Sequence, residues 1–144
     1  MRTQKPRIFS ADFETTVYSG QTHTEVWAAA CVKLYTEDVK IYHSIGDIFD
    51  AWFKSGNNRL IYFHNLKFDG SFWLSYLLTD LEYKQASEEW TDEKGGYHVK
   101  WLKEERMTSK TFQYSISQMG QWYQIKIKEG RNFIELRDSL KLLP

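Results

Sequence analysis

The hydrophobic period of the chain switches repeatedly, and the order of the switches limits the fold more than any other feature. Arg7 to Glu14 reads as a strand that ends in polar residues. Glu25 to Tyr35 reads as a longer, mostly apolar strand suited to a central position, and Lys40 to His43 as a short third strand. Ser19-Gly20-Gln21 supplies a turn between the first two, so the three predict an antiparallel meander. The period then becomes helical. Ile45, Ile48, Phe49, Trp52 and Phe53 fall on one helix face. Ser44 and Asp47 have capping-box spacing, with Asp in place of Glu or Gln, and Ser55-Gly56-Asn57-Asn58 ends the helix. Leu60 to Phe63 is an apolar run of strand length. His64 to Asp69 is a polar break, and Phe72 to Leu78 is apolar nearly all round, which predicts a buried helix. Glu88 to Gly96 is a charged, exposed excursion. Tyr97 to Leu102, Thr111 to Ser117, Trp122 to Lys128 and Phe133 to Asp138 read as strands. In the third of these Tyr123, Ile125 and Ile127 alternate with Gln124, Lys126 and Lys128, the mark of a half-buried strand. Glu129-Gly130-Arg131-Asn132 turns it into the last strand. Strands, a helix, one strand, a helix and more strands predict an α/β chain with a mixed β-sheet flanked by helices. Pro6 and Pro144 stand at the two ends, so proline interrupts none of these elements.

A length of 144 residues suits one domain, 1–144, with a variable excursion at about 81–110. Such a chain buries about two thirds of its unfolded surface and needs no staples. The single cysteine, Cys31, excludes an internal disulfide framework and reads as a small buried hydrophobe. No apolar run approaches the roughly 18 residues of a spanning helix. The basic start Met1 to Pro6 is followed by no apolar signal core. An intracellular, cytoplasmic protein with no membrane partner is expected. Lys plus Arg and Asp plus Glu number 19 each, which removes the simplest polybasic nucleic-acid argument but leaves room for a local basic groove. Aromatic residues make up 17% of the chain. They can fill a core or serve as stacking platforms for bases.

Two strings can carry chemistry. Asp12 and Glu14, at i and i+2 of a strand, project from the same face while Phe13 enters the opposite layer. Carboxylates converging at a strand end suit Mg²⁺ or Mn²⁺; a solvated strand end is the plain alternative. The second string runs Tyr62-Phe63-His64-Asn65-Leu66-Lys67-Phe68-Asp69-Gly70, from a strand across a loop into a helix. Read alone, Asp69 is an N-cap, Asn65 a turn residue, Lys67 a solvated charge and Phe68 core packing.

Taken together the strings resemble the N-terminal 3′–5′ exonuclease domain of protein-primed family B DNA polymerases of bacteriophages and linear mobile elements. Asp12-Phe13-Glu14-Thr15-Thr16 resembles the first exonuclease motif and Tyr62 to Gly70 the second. Met119-Gly120-Gln121-Trp122-Tyr123 and Asp138-Ser139-Leu140-Lys141-Leu142-Leu143-Pro144 extend the likeness over nearly the whole chain. The resemblance implies a ribonuclease-H-like, DEDD-exonuclease-like fold. It implies a two-metal site of Mg²⁺ or Mn²⁺, in which one ion activates a water and the other stabilises the leaving 3′ oxygen. Asp12, Glu14 and Asp69 would be catalytic metal ligands. Thr15, His64, Asn65, Phe68, Ser139 and Leu140 would line the path of single-stranded DNA, and the Ser139-Leu140 pair would also touch the terminal (priming) protein.

The family's third motif, a Tyr with an Asp four residues later, lies beyond the Ser-Leu segment, and these 144 residues do not contain it. The expectation is three of four acidic ligands, a metal site short of one ligand and no palm or thumb motifs. Two classes stay open. One is a nuclease whose fourth ligand comes from Asp138, a partner or another copy. The other is an exonuclease-like protein of phage or mobile-element origin that binds single-stranded DNA, the priming protein or a host defence protein, in the manner of an anti-CRISPR. An orphaned, inactive fold fragment is the blandest case.

Overall fold

The computed structural model describes residues 7–15, 24–33, 36, 38–54, 56–117 and 119–139, without the side chains of Trp27 and Tyr123. The expected turn at Ser19-Gly20-Gln21 and the site residue Leu140 lie outside the described residues. Strands β1 (Arg7–Thr15), β2 (Val26–Lys33) and β3 (Val39–Tyr42) form the antiparallel meander. Helix α1 (Ile45–Lys54) follows. The Asp47 N–H donates to Ser44 Oγ at 3.0 Å, the N-cap half of the expected capping box. Next come β4 (Arg59–Phe63), helix α2 (Leu66–Ser75) and a π-helical turn, Tyr76–Asp80. The rest is β5 (Lys84–Gln85), β6 (Ser87–Thr91), β7 (Tyr97–Trp101), a 3-10 turn at Glu104–Arg106, β8 (Thr111–Ile116), β9 (Trp122–Glu129) and β10 (Asn132–Asp138). None of the described helices is long and apolar enough to cross a membrane.

Among the described residues eight strands make one sheet in the order β3-β2-β1-β4-β10-β9-β8-β5, and β6 pairs with β7 in a separate hairpin. The sheet is mixed: β1, β4 and β10 run parallel in its centre, and the meander and the β8-β9-β10 ladder are antiparallel. The expected central place of Glu25 to Tyr35 is corrected. β2 lies next to the β3 edge, and its apolar character comes from α1 packing on the face that carries Ala29, which is fully buried. The charged excursion and the strand after it are the two arms of the β6-β7 hairpin. At its tip the Asp92 carboxylate accepts the N–H groups of Lys94 and Gly96.

Both helices sit on the sheet face that carries Phe13. Trp73 of α2 stacks on Trp52 of α1 with centroids 5.2 Å apart, and the Phe13 ring lies 5.7 Å from Trp73. The second helix differs from expectation in two ways. It begins at Leu66, so only His64 and Asn65 form the connection. The Phe68 and Asp69 N–H groups both donate to the Asn65 carbonyl, and Leu66-Lys67-Phe68 contains nothing that opposes a helix. Nor are α2 and the π-helical turn after it buried all round: Trp73 and Leu77 are buried, whereas Phe68 is 46% and Leu78 45% exposed, because only one side of this stretch meets the sheet.

At Gly70, α2 packs tightly against β9. A Cβ there would stand 2.9 Å from the Trp122 ring and 3.3 Å from Ile125. Overpacking costs about 1–3 kcal/mol, against a gain of about 1 kcal/mol in helix propensity. Gly70→Ala is therefore expected to destabilise the chain by about 1 kcal/mol net, read as a lower urea midpoint with an unchanged slope.

Candidate metal and nucleic-acid site

The site grows out of a difference in strand length. β1 and β4 run in parallel register from Arg7↔Arg59 to Ala11↔Phe63, where β4 ends. β1 continues through Asp12, Phe13, Glu14 and Thr15. On that side the end of β1 meets the first turn of α2 instead of a strand. The Phe13 backbone N–H, left without a ladder partner there, donates to the Asp69 carboxylate. Strand alternation turns the Phe13 side chain into the core, 6% exposed, and Asp12 and Glu14 to the other side, where both are exposed.

Asp69 is a buried carboxyl, 3% exposed. This corrects the N-cap reading, since it lies inside the first turn of α2. Burial raises its pKa, and the charges of Asp12 and, more weakly, Glu14 add to the rise; the Phe13 N–H opposes it by favouring the carboxylate. The balance pushes Asp69 up to about 7. Asp69 thus feels both other candidate carboxylates. Among the described residues no three His, Cys, Asp or Glu side chains already stand grouped as a ligand cage. The donor chemistry nevertheless fits a hard divalent cation. The oxygens are all carboxylate, and the buried member is electrostatically frustrated in a way that a cation beside it would relieve.

The remaining described candidates lie at this end. Because β1, β4 and β10 are parallel, their C-terminal ends share one edge of the sheet. His64 and Asn65 are exposed in the short connection after β4. The exposed Phe68 ring packs edge-on against Phe72 at 5.3 Å. Thr15 is half-buried at the end of β1, next to an irregularity in its pairing with β2. Ser139 is half-buried just after β10. Asp138 is buried and in register with Phe63, one strand beyond β4 from β1. The sequence reading missed a cavity of about 440 Å³ at this end, lined among others by Glu25, Val26, Phe72, Tyr76 and Asp80. Its walls come from three separate segments, and no local pattern announces it.

No family model matches the chain. Curated relatives do. The DNA polymerase of Bacillus phage phi29 is 34% identical over 150 residues, covering 100% of this chain and 22% of the polymerase. The DNA polymerase of Streptococcus phage Cp-1 is 30% identical, covering 94% and 21%. Among solved structures, phi29 DNA polymerase complexed with primer-template DNA superimposes with a TM-score of 0.67 at 29% identity, covering 95% of this chain and 21% of that one. The same polymerase complexed with single-stranded DNA gives 0.64. The chain therefore spans about a fifth of the length of the relatives it matches. It is a counterpart of the N-terminal region of the phi29-type DNA polymerases, and its mixed sheet with flanking helices is the fold of their N-terminal exonuclease domain.

Proposed function

We propose that this chain acts as a 3′–5′ exonuclease domain of the protein-primed polymerase type, hydrolysing single-stranded DNA from its 3′ end. The observation that carries the reading is the Asp69 carboxylate, buried against the end of β1, held by the Phe13 N–H and charged against Asp12 and Glu14. Asp12, Glu14 and Asp69 would hold Mg²⁺ or Mn²⁺. Bound there, such ions supply Lewis-acid stabilisation of charge developing on a phosphodiester. The residues of the chain itself have separate tasks. The Phe13 N–H fixes the Asp69 carboxylate in position. Asn65 and His64, exposed beside it, offer polar groups to the sugar and phosphate of a frayed end. Phe68 offers a ring to a terminal base. Ser139, at the same edge, is the described residue through which a priming protein would be met. DNA binding is supported by the structural relatives, which are phi29 polymerase complexes with DNA.

The test is a 5′-labelled single strand incubated with the chain in Mn²⁺, in Mg²⁺ and in EDTA. The expected result is a ladder that shortens from the 3′ end with either metal and does not form in EDTA. A strand that stays intact with saturating metal and folded protein overturns the reading. Base stacking is worth about 1–3 kcal/mol, and Phe68 is already solvent-facing. Phe68→Ala is therefore expected to raise KM for the single strand about tenfold while leaving the melting temperature unchanged.

A second reading, a binding module without hydrolysis, is favoured by the β6-β7 hairpin. Its Trp90, Tyr97, Val99 and Trp101 are exposed, His98 stacks on Trp90 and Lys100 lies over the same ring. In that case deleting 87–101 abolishes single-strand binding, and Asp12→Ala plus Glu14→Ala leaves it intact. The exonuclease reading predicts the reverse for metal-dependent binding.

A further inference from the structure

The end of the sheet opposite the carboxylates gathers more positive than negative charge among the described residues. Arg7 and Arg59 open the neighbouring strands β1 and β4 in direct register. Lys33 stands across from Phe9, and Lys40 across from Cys31. By strand alternation all four cationic side chains share one face. With Asp38 and Tyr42 they line a cavity of about 150 Å³, floored by Phe9 and the buried Cys31. Among the described residues, four cations thus meet one carboxylate in a space about large enough for a single small anion.

Two features make this more than a charged surface. Like charges in direct cross-strand register destabilise a sheet, yet Arg7 and Arg59 are placed that way where the sheet begins. Arg59 is also held in position: its guanidinium carbon lies 4.4 Å over the Phe9 ring, and its Nε is buried with no hydrogen-bond partner among the described residues. Burial, and the charge of Arg7, make Arg59 harder to keep charged. A buried guanidinium donor without an acceptor, beside a second guanidinium and two ammonium groups, fits a compact multivalent oxyanion.

We propose that this cavity binds a phosphate dianion, free or as the phosphomonoester of a nucleotide. The site is separate from the carboxylate edge and does not depend on the exonuclease reading. Net charge favours a dianion over a carboxylate. The volume admits a phosphate group with little more than its ester oxygen and the start of a sugar.

The test uses the full chain, ¹⁵N-labelled, in EDTA at constant ionic strength, so that the carboxylate site plays no part. Inorganic phosphate, thymidine 5′-monophosphate and thymidine are titrated separately. The expected result is saturable shifts at Arg7 to Phe9, Lys40 to Tyr42 and Arg59 with both phosphates and none with thymidine. Arg59→Met and Lys40→Met should each weaken binding at least tenfold, with the other resonances in place. A midpoint at least tenfold lower for the nucleotide identifies a nucleotide as the source; equal midpoints identify free phosphate. Absence of saturable shifts at these residues, equal affinity in both variants, or the same shifts with thymidine overturns the proposal.

Discussion

Asp69→Asn is expected to unfold at a higher temperature than the unsubstituted chain at pH 8 in EDTA. The Asp69 pKa is about 7 in the folded chain against an ordinary 3.8. Between those values the folded state holds a proton that the unfolded state has released, so stability falls as pH rises through the window and levels off above about 7. At 1.36 kcal/mol per pH unit the loss has an upper bound of about 4 kcal/mol, and local relaxation brings the expected figure to about 2–4 kcal/mol. Asparagine keeps an acceptor for the Phe13 N–H and carries no charge. The variant should therefore gain that amount at pH 8 and lose the pH slope, while at pH 4 the two proteins converge. Denaturant titrations at pH 4, 6 and 8 check this. A variant that is less stable than the parent at pH 8 contradicts the placement of Asp69 as a charge-frustrated buried carboxyl.

The second large effect is the response of the unsubstituted chain to divalent cations. An ion that binds only the folded state stabilises it by about 2.7 kcal/mol at one hundred times its dissociation constant. In a chain of this size that raises the melting temperature by about 10 °C. Mn²⁺ in excess is expected to produce this shift at pH 8, and a smaller one at pH 5, where Asp69 holds its proton. Asp12→Ala plus Glu14→Ala should remove it at both values. Equal stabilisation of parent and double variant would place the bound ion elsewhere.

Local chemistry made most elements legible. Ser44 and the face from Ile45 to Phe53 define α1, and the alternation of Ile125 and Ile127 with Lys126 and Lys128 defines β9, both isoleucines being fully buried. What failed was non-local or ambiguous. The polar string His64 to Asp69 reads as a loop, but Leu66, Lys67 and Phe68 are helix-compatible, and Asp69 ended inside the first turn. Sheet order has no local signal: the alanine-rich run of β2 reads as central although its apolar face belongs to α1. The pairing of β6 with β7 was hidden because the charged arm showed no period-2 pattern. At the carboxylate edge the same-face placement of Asp12 and Glu14 followed from alternation alone. The placement of Asp69 against the end of β1, where it feels their charge, requires the early end of β4, which only the register shows. The basic cavity was invisible in a chain of zero net charge, since Arg7, Lys33, Lys40 and Arg59 lie on different strands.

The central claim is that Asp12, Glu14 and Asp69 form one cation-dependent nuclease centre. The most direct measurement compares 3′ shortening of a 5′-labelled single strand by the unsubstituted chain and by Asp12→Ala/Glu14→Ala, in Mn²⁺, with both proteins shown to be folded. The account predicts shortening by the first and a loss of at least about a thousandfold in the second, consistent with the several kcal/mol that metal-held charge stabilisation contributes. Equal rates from the two proteins would contradict it.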